Sequence, residues 1–191
     1  MPIFEYMDYT VINERSYQFD HNTERVIFVN DLTQVSRFNL APPLDELERK
    51  LIPTLEKLCL NELENDRLNA LVSQIGFSWE DSLILRIYSK YLRQLSFGLS
   101  EPYVQDCLVR QASIAWLLVD LFHKRFNPNL ANVETSLSSE IRLILEEIDK
   151  VTSLDEDRIL RQVLGMIIAT VRTNFYQDNK QCIAIKLNSK K

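Results

Sequence analysis

The side chains with chemistry to offer are few and scattered: His21 and His123, the thiols Cys59, Cys107 and Cys182, and the acidic run Asp155-Glu156-Asp157. A metal site needs several such groups at ligand spacing, and neither histidine has a Cys, Asp or Glu so placed near it in the chain. His21 falls in a turn. His123, beside Lys124 and Arg125, reads as a partly buried helix-end residue. The cysteines are odd in number, far apart and lack C-x-x-C spacing, which points to free thiols in a reducing compartment. The acidic run opens a helix, where negative charge complements the helix dipole without any cation. Glu146-Glu147 reads as a solvated face. Gly76, Gly98 and Gly165 stand alone, so neither a dinucleotide fingerprint nor a phosphate loop can be written. No Ser-His-Asp or Cys-His arrangement is favoured by context. The expected catalytic, cofactor-binding and metal-ligating residues in this chain are therefore none.

Surfaces offer more. On a predicted helix 79–96, Ile84, Ile87, Tyr88, Tyr91 and Leu95 form an inward stripe. Arg86, Lys90 and Arg93 recur at i, i+4, i+7 on another face, with Gln94 beside them. They read either as a docking strip for an acidic neighbour or as a solvated basic edge. On a predicted helix 154–176, Leu160, Val163, Leu164, Ile167, Ile168, Val171 and Phe175 recur at helical spacing. Arg158, Arg161, Gly165, Ala169 and Arg172 share the opposite face. Small residues there permit close approach, and the arginines can pair with carboxylates of a neighbour. The alternative is a solvated face with local pairs such as Asp157 with Arg161.

These residues must be positioned by helices. The pattern predicts helices near 44–60, 62–75, 79–96, 101–109, 111–126, 132–150 and 154–176, broken at Asn61, Gly76, Gly98 and Asn127-Pro128-Asn129. Ser153 with Glu156 reads as a capping box, and Ser78 with Asp81 and Ser100 with Glu101 as further helix starts. Pro53 falls inside the first helix and is expected to kink or split it. Before Ala41-Pro42-Pro43 the chain differs. Short β-branched and aromatic stretches flank the turn cluster Asp20-His21-Asn22-Thr23 and predict a hairpin with strands near 9–19 and 24–33. Cys182 to Leu187 alternates as a short strand, and Ser189-Lys190-Lys191 reads as a frayed tail. The expected fold class is mainly α: a multi-helix domain over 41–191, a small N-terminal antiparallel β-hairpin appendage over 1–40, and a short C-terminal strand.

With 191 residues, 46% hydrophobic and 26% charged, the chain has the composition of a soluble globular protein with a real core. Three glycines in this length favour helices over a large all-β fold. The net charge of −5 disfavours a nucleic-acid partner. No apolar run approaches membrane-spanning length, and no leader pattern opens the chain, so neither a membrane partner nor export is expected. The expected location is cytoplasmic.

The wording of three runs adds an identity that periodicity does not. Ser153-Leu-Asp-Glu-Asp-Arg-Ile-Leu-Arg161, followed by Ala169-Thr-Val-Arg-Thr-Asn-Phe-Tyr176, resembles a segment of the large-subunit bacterial NAD-dependent glutamate dehydrogenases. Phe77-Ser78-Trp79 with Leu85 to Gln94 looks like that family's helical region upstream of its catalytic domain. Pro2-Ile3-Phe4-Glu5 with Val11 to Arg15 looks like the closing part of the ACT-like module that precedes those helices. Ile168 departs from the pattern, where a polar or basic residue is expected. The resemblance implies a parent enzyme that oxidatively deaminates L-glutamate to 2-oxoglutarate and ammonia with NAD as cofactor, in amino-acid catabolism. It implies that this chain is one non-catalytic helical or regulatory segment of a larger polypeptide, inactive alone. Its hairpin would be a fragment of an ACT-like module, and its partners other domains or subunits of the dehydrogenase. The candidate interdomain contact is Arg86, Lys90, Arg93, Gln94, Arg158, Arg161, Gly165 and Arg172. The rival reading is a free-standing helical interaction module, and an adjoining dehydrogenase coding region would decide between them.

Overall fold

The computed structural model describes residues 2–21, 25–37, 43–130, 137–178, 180 and 182–188. The expectations for Asn22-Thr23, for Ala41-Pro42, for a helix start at 132 and for the tail 189–191 lie outside them. The chain divides into two compact units, Met1–Gly76 and Phe77–Lys191.

The first unit opens with a short helix α1 (Pro2–Tyr6) and a hairpin of β1 (Tyr9–His21) and β2 (Arg25–Ser36). The strands run longer than predicted, paired from Tyr9 with Ser36 to His21 with Arg25, with a bulge at Val11/Asn13. Asp8 fixes the base of the ribbon. Its buried carboxylate accepts from both terminal guanidinium nitrogens of Arg67, at 2.7 and 3.1 Å, a bidentate charge-assisted pair. α2 (Leu44–Cys59) follows, and Pro53 lies within it without ending it. A continuous helix over 62–75 does not form. Asn61 takes a left-handed backbone (φ 56), and Asp66 then accepts from Leu68 N to start a 3-10 turn at Arg67–Asn69. α3 (Ala70–Ile75) is correspondingly short. It closes on Gly76 at φ 69, a conformation that side chains with a Cβ rarely adopt.

The second unit is a helical bundle: α4 (Trp79–Gln94), α5 (Glu101–Arg110), α6 (Ala112–Phe126), α7 (Leu137–Ile148) and α8 (Leu154–Ala169). α8 and α6 pack on each other, and each also packs on α4, α5 and α7. Their apolar stripes make the core: Ile114, Leu118, Leu121 and Phe122 from α6, and Ile159, Leu160, Val163, Leu164 and Ile167 from α8.

α8 ends seven residues before the predicted helix does. Thr170–Thr173 is a strand, β3, paired antiparallel with β4 (Ile185–Leu187). Three of its four residues are β-branched, which suits a strand. Thr170 Oγ1 donates to Met166 O at 2.8 Å, closing the last turn of the helix. Helical spacing carried through to Phe175 because that ring is buried too, although it arrives from the turn after β3. Val171 is 58% exposed and does not belong to the stripe. The fold is thus mainly α, with an N-terminal hairpin and a terminal strand, as the composition implies. The terminal strand finds its partner at 170–173.

Candidate functional site

The ends of α4, α6 and β3 converge on His123. At the start of α4, Ser78 Oγ accepts from Asp81 N, and the Asp81 carboxylate accepts in return from Ser78 N at 2.9 Å, a complete capping box. That bond occupies Asp81 Oδ2 and leaves Oδ1 for His123 Nε2 at 2.8 Å. The other imidazole nitrogen, Nδ1, lies 2.6 Å from the Tyr176 hydroxyl. Burial pushes the Asp81 carboxyl up, but the His123 and Ser78 hydrogen bonds outweigh it and hold its pKa below the usual value. Burial, with the Asp81 charge adding, pushes the Tyr176 phenol up to about 12. Asp81 is therefore ionised and Tyr176 protonated near neutral pH. For the neutral imidazole this sets the tautomer: Nε2–H donates to Asp81, and Nδ1 accepts from the Tyr176 O–H. The ring sits edge-on to Phe122 and Phe175, with centroids at 6.1 and 5.8 Å.

Further polar ties bind α8 and β3 to the rest of the bundle. Since Thr170 Oγ1 donates to Met166 O, the buried Tyr88 hydroxyl donates to Thr170 Oγ1, at 2.7 Å. Burial pushes the Tyr88 phenol up to about 12, against the opposing effects of Thr170 and Arg125. Arg125, at the end of α6, donates to the carbonyls of Ile167 and Thr170 and so satisfies the C-terminus of α8. At the other end of α8, Ser153 Oγ accepts from Glu156 N, but Glu156 does not return the bond as the predicted capping box requires. Its carboxylate accepts instead from Arg110 Nε at 2.8 Å and Gln111 Nε2 at 2.7 Å. Burial opposes ionisation of Glu156, and those two donors overcome it and hold its pKa low.

The predicted contact residues are dispersed. Arg158, Arg161 and Gly165 do share the exposed face of α8. Arg158 lies over the Phe97 ring at 4.4 Å and donates to its carbonyl, while Arg161 pairs with Asp157 and Asp149. A Cβ added at Gly165 would meet nothing within 4 Å. Arg172 is exposed but stands on β3, so it leaves the helix face. Arg86 is buried at 3% and cannot share a solvent-facing strip with Lys90, Arg93 and Gln94. α4 is enclosed on more sides than its apolar stripe suggests: Ser82, Leu85, Ser89 and Leu92 are buried beside Ile84 and Tyr88, whereas the predicted Leu95 is 48% exposed. Lys90 is half-buried, Gln94 is exposed, and Arg93 is exposed and pairs with Glu101 at 3.1 Å. Ile168 is half-buried.

The site that sequence reading missed is Asp81–His123–Tyr176. Its members lie 42 and 53 residues apart, so no local motif announces them. Chemically it is a carboxylate–imidazole–phenol chain in which every polar atom has a partner. A phenol pushed up to about 12 keeps its proton near neutral pH and serves this chain as a hydrogen-bond donor. Among the described residues, no three His, Cys, Asp or Glu side chains cluster so as to hold a metal ion.

Comparison with known proteins places these ties in a larger frame. Residues 63–128 match the family described as glutamate dehydrogenase, helical motif 3, and residues 143–191 match the bacterial NAD-glutamate dehydrogenase catalytic domain. The NAD-specific glutamate dehydrogenase of Pseudomonas aeruginosa is 32% identical over 100% of this chain. Those of Halomonas elongata and Mycobacterium tuberculosis are 30% and 28% identical over 95% and 99% of it. The chain spans only 11–12% of the length of these relatives. With two of the family's regions in succession, and with relatives aligned over nearly its whole length, the chain belongs to the large bacterial NAD-dependent glutamate dehydrogenases, as one segment of that much longer sequence.

Proposed function

We propose that this chain is a non-catalytic helical segment of an NAD-dependent glutamate dehydrogenase, and that it holds the first elements of the catalytic-domain region in place. The whole polypeptide would oxidatively deaminate L-glutamate to 2-oxoglutarate and ammonia, with NAD accepting the hydride. One observation carries the reading. Residues 77–128 of the helical-motif match and the residues matched to the catalytic domain are joined within one compact unit, through Tyr88 with Thr170, Arg125 with Ile167 and Thr170, and Arg110 and Gln111 with Glu156. No residue of this chain is assigned to NAD, because three isolated glycines write no dinucleotide loop.

The partners in this reading are other domains or subunits of the dehydrogenase. They would meet the exposed face of α8 at Arg158, Arg161 and Gly165, and Arg172 on β3, with Lys90, Arg93 and Gln94 of α4 as further polar contacts. Buried Arg86 drops out of that surface. The 1–40 region belongs, in the same reading, to an ACT-like module. The free thiols of Cys59, Cys107 and Cys182 suit a reducing, cytoplasmic setting, and among the described residues no helix is long and apolar enough to cross a membrane.

NADH formation from glutamate and NAD tests the reading. The purified chain is expected to form none, and the whole polypeptide that contains it is expected to be active. Activity above a blank in the chain alone overturns the non-catalytic assignment. Inactivity of the whole polypeptide overturns the dehydrogenase assignment.

A further inference from the structure

We infer that Asp81, His123 and Tyr176 form a positioning chain that sets the orientation of the β3–β4 ribbon on the helical bundle, and that the dehydrogenase requires this orientation for turnover. The functional half rests on the reading just given; the structural half stands on this chain alone.

The ribbon needs such a device. β3 and β4 contribute four and three residues, and two strands of that length are marginal without support. Its strand β3 presents Val171 and Arg172 to solvent, the residues through which it would meet the rest of the polypeptide. Tyr88 and Arg125 tie Thr170, the first residue of β3, and beyond the other end of the strand Phe175 is buried beside Phe122 at 5.4 Å, a contact without hydrogen bonds. The hydrogen-bonded chain is directional. Asp81 Oδ2 is held by the backbone and hydroxyl of Ser78, so the carboxylate cannot turn away. Its Oδ1 then holds the imidazole, and the imidazole's other nitrogen meets one phenol hydroxyl, three residues past β3. Two of the three members lie in the portion matched to the helical motif and the third in the portion matched to the catalytic domain, so the chain couples the two. A displacement of α4 or α6 would thereby reach the ribbon.

Tyr176→Phe removes only the hydroxyl. His123→Leu keeps bulk and loses both polar atoms, whereas His123→Gln keeps one donor and one acceptor. In the isolated chain, hydrogen exchange of the Thr170–Thr173 amides is expected to speed up about tenfold in Tyr176→Phe and His123→Leu, with α6 amides unchanged. In the whole polypeptide, the same variants are expected to lower kcat about fivefold, the worth of one hydrogen bond, with the KM values for glutamate and NAD within about twofold. His123→Gln is expected to restore part of the kcat. Unchanged exchange in the ribbon overturns the positioning chain itself. Faster exchange with unchanged kcat, or KM changes that account for the loss, overturns its role in turnover. A wild-type polypeptide without activity refutes the dehydrogenase reading and with it the functional half, while the exchange result still decides the structural half.

Discussion

Gly165 carries more information than any charged residue on its face. A glycine inside a helix costs about 1 kcal/mol relative to alanine, because its backbone loses more freedom on folding. Among the described residues nothing repays that cost, since a methyl group at this position would meet none of their atoms within 4 Å. Gly165→Ala is therefore expected to stabilise the isolated chain by up to about 1 kcal/mol, read as a raised denaturant midpoint. If another domain lies close against α8, the same methyl is expected to weaken assembly or activity of the whole polypeptide. A more stable chain with an unaffected whole polypeptide would sink the proposed contact at Arg158, Arg161 and Gly165. At this scale the sequence is legible where partners are local. Ser78, Ser100 and Ser153 all cap the helices they were expected to start. It is opaque where they are distant: Glu156 gives up its local cap for Arg110 and Gln111, 46 and 45 residues away. A charged donor offers a buried carboxylate more than a backbone amide does.

At the scale of elements, periodicity located six of the seven predicted helices, and the errors cluster at their ends. α8 shows why. Its apolar spacing runs past Ala169, but the backbone turns at Thr170, where Arg125 takes the last carbonyls and Tyr88 takes the threonine hydroxyl. Those partners come from α6 and α4 and are invisible locally. The β-branched residues Thr170, Val171 and Thr173 were the available signal, and the stripe outweighed it. The interior of α8 is secure by contrast. Leu160 and Ile167 are fully buried against neighbouring helices, so Leu160→Ala and Ile167→Ala are each expected to cost roughly 2–5 kcal/mol, the lost burial plus the cavity left behind. The exposed Val171 supplies the contrast: Val171→Ala is expected to change stability by only about 0.5 kcal/mol or less. Chemical denaturation of the three variants checks this. Unchanged midpoints for both core variants would show that the stripe is not core.

Over the whole molecule, apolar surface is spent very unevenly. The helical unit buries the stripes of α6 and α8, whereas the hairpin shows its apolar side chains to solvent. Directly opposed pairs such as Tyr17 with Val29 and Phe19 with Ile27 lie on one face of the ribbon, each residue 46–56% exposed. Among the described residues the sheet stops at two strands, and the only other strand candidate pairs with β3. Composition foretold a hairpin too small to stand by itself; which strand would complete it could not be read, because sheet partners are set by tertiary structure. A two-stranded ribbon holding its backbone bonds next to water should open at a small fraction of the free energy that opens a buried helix. Hydrogen exchange is therefore expected to release the β1 and β2 amides well before those of α8. The pair of Asp8 with Arg67 anchors the ribbon's base by a buried charge, so protection should be greatest near Tyr9 and Ser36 and fall toward the turn. Equal protection in the hairpin and α8 would make the ribbon part of a cooperative unit, and the proposal that it is a portion of an ACT-like module would lose its main physical support.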